Sequence, residues 1–279
     1  MKKLFASILS LALCMAALFG FTACETADSG KDKFTVVTNC PFGMYEYLGD
    51  DGKIYGIDIE LAGLFAEKYD YELVIKNIAF DAIFEQVKNG YADAGMAGIT
   101  VSEDRKKLYD FTETYCKASQ KLIVLESNND FAEATDATAV ENILGSLTGK
   151  TIGYQTGTTG GMYINGDEDF GYDGYENIEG VGYDTAVTAV NDMKNGNLYA
   201  VVVDEGPANA IAAAISGVKV VDVKLTDEEY AFVIKKGNTE LLNKFNAFLA
   251  EVKENGKYAE IEAKYYQNKG TKVGYNVAV

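Results

Sequence analysis

Apolar and polar positions alternate along most of this chain with a period of either two or 3.6, and the two periods trade places in order. "KFTVVTN" (33–39) is rich in β-branched residues and predicts the strand that begins the globular part. In "IYGIDIELAGLFAEKYD" (54–70), Ile59, Leu61, Leu64 and Phe65 fall near one face of an amphipathic helix. "YELVIKN" (71–77) predicts a second strand, "FDAIFEQVKNG" (80–90) a helix closed by Gly90, and "YADAGMAG" (91–98) a third strand. This alternation implies parallel pairing in an α/β sheet. Ligands of such sheets gather at the carboxyl ends of the strands. Asn39 and the polar stretch from Gly98 to Arg105 fall there.

The pattern then restarts. "QKLIVLE" (120–126) predicts a strand, and "SNNDFAEATDATAVE" (127–141) reads as a polar loop or boundary. "LTGKTIGYQTGTTGGMYI" (147–164) opens a second α/β run of strand, Gly/Thr turn and helix. "AVTAVNDMKNG" (186–196) predicts a helix and "LYAVVVDEG" (198–206) a strand; "VKVVDVKL", "EYAFVIKKG" and two helices over 239–266 follow. Two similar α/β lobes result, without a sequence repeat.

The N-terminus follows a different rule. "MKK" and the apolar run that follows, ending in small residues at "FTAC", form an export signal over residues 1–23. A retained membrane helix is the alternative, since the run is nearly long enough to span a bilayer. The abrupt polar turn at "ETADSGKDK" resembles a bacterial lipobox, with Cys24 as the lipid-bearing residue, although Phe21 stands where Leu is usual. Two or more acyl chains there, palmitate among them, give the stable anchoring that one cannot. Residues 24–33 then serve as anchor and tether.

The chain of 279 residues carries a net charge of −17, which argues against nucleic acid and against electrostatic adhesion to anionic lipid. It has no His and no Trp, so the usual zinc sets and the Ser-His-Asp and Cys-His arrangements are absent. Once Cys14 is removed and Cys24 acylated, Cys40 and Cys116 remain, either paired or as two free thiols.

Five stretches in order, "GKIYGIDIELA", "AFDAIFEQVKNGYADAGMAGITVSEDRKKLYDFTETY", "LTGKTIGYQTGTT", "AVVVDEGPA" and "ENGKYAEIEAKYY", carry a resemblance from about Phe34 to Tyr266. The chain resembles the extracellular solute-binding proteins, family 3, of polar amino-acid ABC transporters. The resemblance implies an α/β, two-lobed periplasmic-binding-protein-like (type II) fold with two hinge strands. Lobe 1 is expected over 34–118 and 228–270 and lobe 2 over 119–227, with crossings near 117–121 and 225–230 and a C-terminal tail at 271–279.

The implied ligand is a zwitterion, and burying it requires a partner for each charge. By its place in "GITVSEDR", Arg105 is expected to hold the carboxylate through its planar fork, with Thr100 beside it and the Gly98 carbonyl facing the ammonium. Ser102 is as well explained as a helix N-cap. Asp204, closing an apolar strand, matches the ammonium-binding acid. Thr159 and Gln155 are the expected lobe 2 contacts, and Phe42 and Phe80 cover the aliphatic part. Asn39 takes a place where members often carry an acid, so with Gln155 it points to a polar, uncharged side chain. "NGDEDFGYDGYE" (165–176) has calcium-loop spacing, but Phe170 stands where that loop needs Gly, which favours a solvated loop.

The expectation is therefore a monomeric, non-catalytic binding protein without cofactor or metal. It would be lipid-anchored at the extracytoplasmic face of the cell membrane and deliver an amino acid to a permease. Two other readings, an amino-acid-related dehydratase on the same scaffold and an amino-acid sensor, would need a placed acid or a C-terminal signalling segment, and neither is seen.

Overall fold

The computed structural model describes residues 30–278, so the leader, Cys14, Cys24 and most of the tether lie outside the described residues. Asp32–Val279 forms one compact unit. It is built on two five-stranded sheets. The first runs Glu72–Asn77, Lys33–Thr38, Ala94–Gly95, Val233–Lys235, Tyr109–Phe111; the first three strands are parallel, and Val233–Lys235 is antiparallel to both its neighbours. The second runs Ile178–Tyr183, Lys150–Gln155, Ala200–Asp204, Gln120–Leu125, Val218–Val220. Here too three parallel strands are followed by antiparallel pairing. Between the sheets, Cys116–Ala118 pairs antiparallel with Glu228–Tyr230, so the chain passes from one lobe to the other and back along adjacent strands.

Each lobe has its own core. In lobe 1, helices Ile57–Lys68 and Thr239–Glu254 meet through Phe65 and Phe245, whose rings stack 3.9 Å apart. In lobe 2, Leu122, Val124 and Val202 pack on one face of the sheet, and Ile123, Val201 and Val203 on the other. Successive residues point to opposite faces, which is why "QKLIVLE" and "LYAVVVDEG" read as near-continuous apolar runs: both faces are covered by helices. Gly56 is fixed by geometry. It adopts φ +144°, and a methyl group there would lie 1.8 Å from the Tyr45 carbonyl oxygen.

Three departures from the sequence pattern have local causes. The polar stretch 127–141 is not wholly loop: Asp136 caps the amide of Ala139 at 2.9 Å and starts a helix, Ala137–Ser146, that buries Val140 and Leu144. The strand expected to run through Gly206 stops at Asp204, where helix Glu205–Ala214 begins; Glu205 pairs with Lys121 and Lys224 in place of continuing a strand alternation. The C-terminal segment crosses lobe 1, exchanging two backbone bonds between Ile54 and Tyr275 at 2.9 Å and donating from Ala278 to Ile75 at 2.7 Å. It thereby covers the exposed edge of strand Glu72–Asn77.

Candidate functional site

Three parallel strands deliver polar residues at their carboxyl ends: Lys33–Thr38 runs into Asn39, Lys150–Gln155 ends in Gln155, and Ala200–Asp204 ends in Asp204. All nine sequence-predicted residues, Asn39, Phe42, Phe80, Gly98, Thr100, Arg105, Gln155, Thr159 and Asp204, are buried, and the two lobes meet in a seam at Asn39–Gln155 and Arg105–Gly157. The seam is closed. Gln155 donates from Nε2 to Asn39 Oδ1 at 2.6 Å, and Arg105 donates from Nη2 to the Gly157 carbonyl at 3.0 Å. Gly43 faces the Pro207 backbone and Gly157 faces Asp81 so closely that a Cβ at either would lie about 3 Å from its neighbour.

Arg105 sits on helix Glu103–Leu108 and its Nη1 donates to the Thr100 carbonyl at 2.7 Å. A guanidinium has five N–H groups, so donors remain for an anion. The Ser102 hydroxyl accepts the Arg105 amide at 3.1 Å as the N-cap of this helix, which accounts for its side chain. Burial lowers the Arg105 pKa to about 10, opposed by the nearby carboxylates of Glu228 and Asp204, and the group stays charged at neutral pH. Glu228 is held on both oxygens, by Thr100 Oγ1 and Thr226 Oγ1, each at 2.6 Å.

Gly98 has φ +54°, and its missing Cβ makes room for the Phe42 ring, which a methyl group would meet at 2.5 Å. Its amide donates to Asp58 Oδ2 at 2.9 Å, and Tyr115 donates to Oδ1 of the same carboxylate at 2.7 Å. Asp58 therefore fixes the loop from beneath. Its burial pushes the pKa up to about 7, and these two donors pull against that shift.

Asp204 accepts from the Tyr230 hydroxyl. Burial raises its pKa to about 7, helped by the negative charge of Glu228 and opposed by Tyr230. Neither Asp204 nor Thr159 bonds to Arg105. Phe80 starts helix Phe80–Lys88 and lies under Gly157, and Thr159 begins the helix Thr159–Asn165. Cys40 and Cys116 are free thiols. Segment 165–176 turns on Asp167, whose Oδ1 accepts the amides of Asp169 and Phe170 at 3.1 Å, and among the described residues no group of acids is set to hold a metal.

Three residues of the site are not apparent from the sequence. Tyr230 and Glu228 arrive from the returning strand Glu228–Tyr230. Gln120 lies directly opposite Asp204 in the antiparallel register. It is fully buried with neither side-chain atom in a well-formed hydrogen bond, although its amide lies near enough to Asp204 to favour the ionised carboxylate. A buried amide without partners is costly, so its place suits a polar ligand group. The one signal for Gln120 along the chain is a polar residue at the head of a strand that, past Lys121, is apolar.

The chain is 28% identical over 279 residues to a probable histidine-binding protein of Neisseria gonorrhoeae, covering 97% of each. It is 27% identical to ABC transporter arginine-binding protein 1 of Escherichia coli, covering 95% of this chain and 99% of the relative. Among solved structures, an ancestral arginine-binding protein bound to glutamine superposes with a TM-score of 0.74 at 29% identity, covering 85% of this chain and 98% of that one. Residues 34–268 match the family pattern as a whole, and the chain belongs to the bacterial extracellular solute-binding proteins, family 3.

Proposed function

We propose that the protein captures a free L-amino acid with a polar, uncharged side chain in the cleft between its lobes and delivers it to the permease of an ABC transporter. One observation carries the reading: a buried cation, Arg105, stands in lobe 1, and a buried acid, Asp204, closes a strand of lobe 2. An α-carboxylate paired with the first and an α-ammonium with the second would couple recognition to closure, because both charges are neutralised only when the lobes meet. Thr100, Gly98, Phe42, Phe80 and Thr159 complete the shell. The protein acts as a monomer and as a carrier, without chemistry of its own.

The polar, uncharged preference is supported by the amide pair. Asn39 donates to the Ile78 carbonyl at 2.6 Å and accepts from Gln155, whose Nε2 also reaches the Asp184 carbonyl at 3.1 Å. A cationic side chain lodged there would lose its water and meet two neutral amides that already bond to each other. Calorimetry of the purified protein against the twenty L-amino acids and cystine tests this. One or a few uncharged polar amino acids are expected to bind one to one, with arginine, lysine and histidine at least about tenfold weaker, or about 1.4 kcal/mol. Binding to none would overturn the function; tightest binding of arginine, as the named relatives would suggest, would overturn the side-chain preference alone.

The N-terminus supports a lipid anchor on Cys24 at the extracytoplasmic face of the membrane. Cys24→Ser is then expected to move the protein from the membrane fraction to the soluble fraction of the expressing cells. An unchanged distribution would rule out the anchor.

A further inference from the structure

Segment 166–176 leaves lobe 2 between helix Thr159–Asn165 and strand Ile178–Tyr183 and returns over lobe 1. It is an ordered turn. Asp167 and Tyr172 exchange backbone bonds at 2.8 and 2.9 Å, and the Asp167 carboxylate caps the amides at the tip. The tip presents two groups to the helix that carries Arg105. The Phe170 ring lies 5.9 Å from the Arg105 guanidinium carbon, which the lobe 1 ring of Phe84 approaches to 4.8 Å. Asp169 lies 3.5 Å from Lys107, which also holds Asp104. Behind the tip, Phe170 stacks on Tyr172 at 5.9 Å, and Tyr172 packs edge-on against Tyr163 in the lobe 2 core at 5.5 Å.

We propose that segment 166–176 is a closure latch, in which Phe170 is a positioning residue that clamps Arg105 only when the lobes meet. The inference rests on reading the cleft as an amino-acid site. A guanidinium between two rings keeps its edge, where the N–H groups lie, free for an anion and its face shielded from water. Phe84 supplies its ring from the same lobe in either state, whereas Phe170 comes from the other lobe and must withdraw on opening. The latch therefore acts after capture. It slows release and leaves association nearly unchanged, the usual way in which related binders differ. The Lys107–Asp169 pair is exposed and screened, and the carboxylate of Asp104 lies against Asp169 and opposes it, so it adds little affinity.

Two measurements decide the matter. Carbodiimide coupling of the purified protein joins amines to adjacent carboxylates. Peptide mass spectrometry is expected to find a Lys107–Asp169 link beside the Lys107–Asp104 link within lobe 1. Finding only the latter, with and without added amino acids, would overturn the latch. In chase experiments with labelled L-glutamine, L-asparagine and L-arginine, Phe170→Ala should speed release about tenfold, with association altered less than about twofold and the melting temperature unchanged. Phe170→Tyr should restore slow release. A Phe170→Ala variant that releases at the wild-type rate would overturn the proposal. Wild-type protein that binds no amino acid while the Lys107–Asp169 link forms would instead sink the amino-acid reading and leave the latch standing.

Discussion

Arg105→Ala should weaken amino-acid binding by roughly 10²–10³-fold or more, corresponding to the about 3–5 kcal/mol lost when one partner of a buried pair is removed. The ligand carboxylate would enter the closed seam without its counter-charge, and the carbonyls of Thr100 and Gly157 would lose their donors. Arg105→Lys keeps the charge but not the fork, so it should recover only part of the affinity. Calorimetry gives the affinities, and thermal melting without ligand separates a binding defect from a folding one. Binding by Arg105→Ala within about threefold of wild type would remove Arg105 from the site.

Asp204→Asn should cost about a hundredfold, because the amide still accepts from Tyr230 but gives the ammonium no charge. The pH dependence makes this prediction sharper. In the closed seam the Asp204 pKa is pushed up to about 7 by burial and by Glu228. An ammonium requires the ionised form. Affinity should therefore be level above about pH 7 and fall about tenfold for each unit below it, since one unit is worth about 1.4 kcal/mol. Asp204→Asn should show no such fall from this group. The ligand-free fold should respond in the opposite direction. Asp204 and Asp58 both have raised pKa values, so between about pH 4 and about pH 7 the folded state binds more protons than the unfolded one. Their contribution to stability is then present at low pH and is lost as pH rises through about 7. A melting temperature that falls from pH 5 to pH 8, together with an affinity that rises, is the expected signature. Affinity unchanged between pH 5 and pH 8 would detach Asp204 from the ammonium.

The parts of the site that motifs carry are legible in the amino-acid sequence. "GITVSEDR" brings Gly98, Thr100 and Arg105 within eight residues of one another, and Asp204 follows the apolar run "AVVV", although only the structure ends that strand at Asp204. Local pattern likewise marks helix Ile57–Lys68 and strand Lys33–Thr38, but the helix is buried continuously from Ile57 to Gly63, with Ile59 and Leu61 in different clusters, so the single apolar face expected from the spacing is not what the fold covers. Helix Ala137–Ser146 is hidden because only Val140 and Leu144 among its residues are buried, and two positions do not make a visible stripe.

The chain alone determined most of the order of elements, which depends on spacing along the backbone, and through its resemblance to a family it pointed to the two-lobed class and to Arg105 and Asp204 as candidates for an amino acid's shared charges. Tertiary structure decided the rest. It set Gln120 opposite Asp204, brought Tyr230 to the same carboxylate, paired Asn39 with Gln155 across 116 positions, and laid Phe170 over Arg105. Those contacts depend on two separate sheets folding and on the chain returning between them. Their partners are fixed by where strand ends converge in space, which no local pattern of hydrophobic and polar residues encodes.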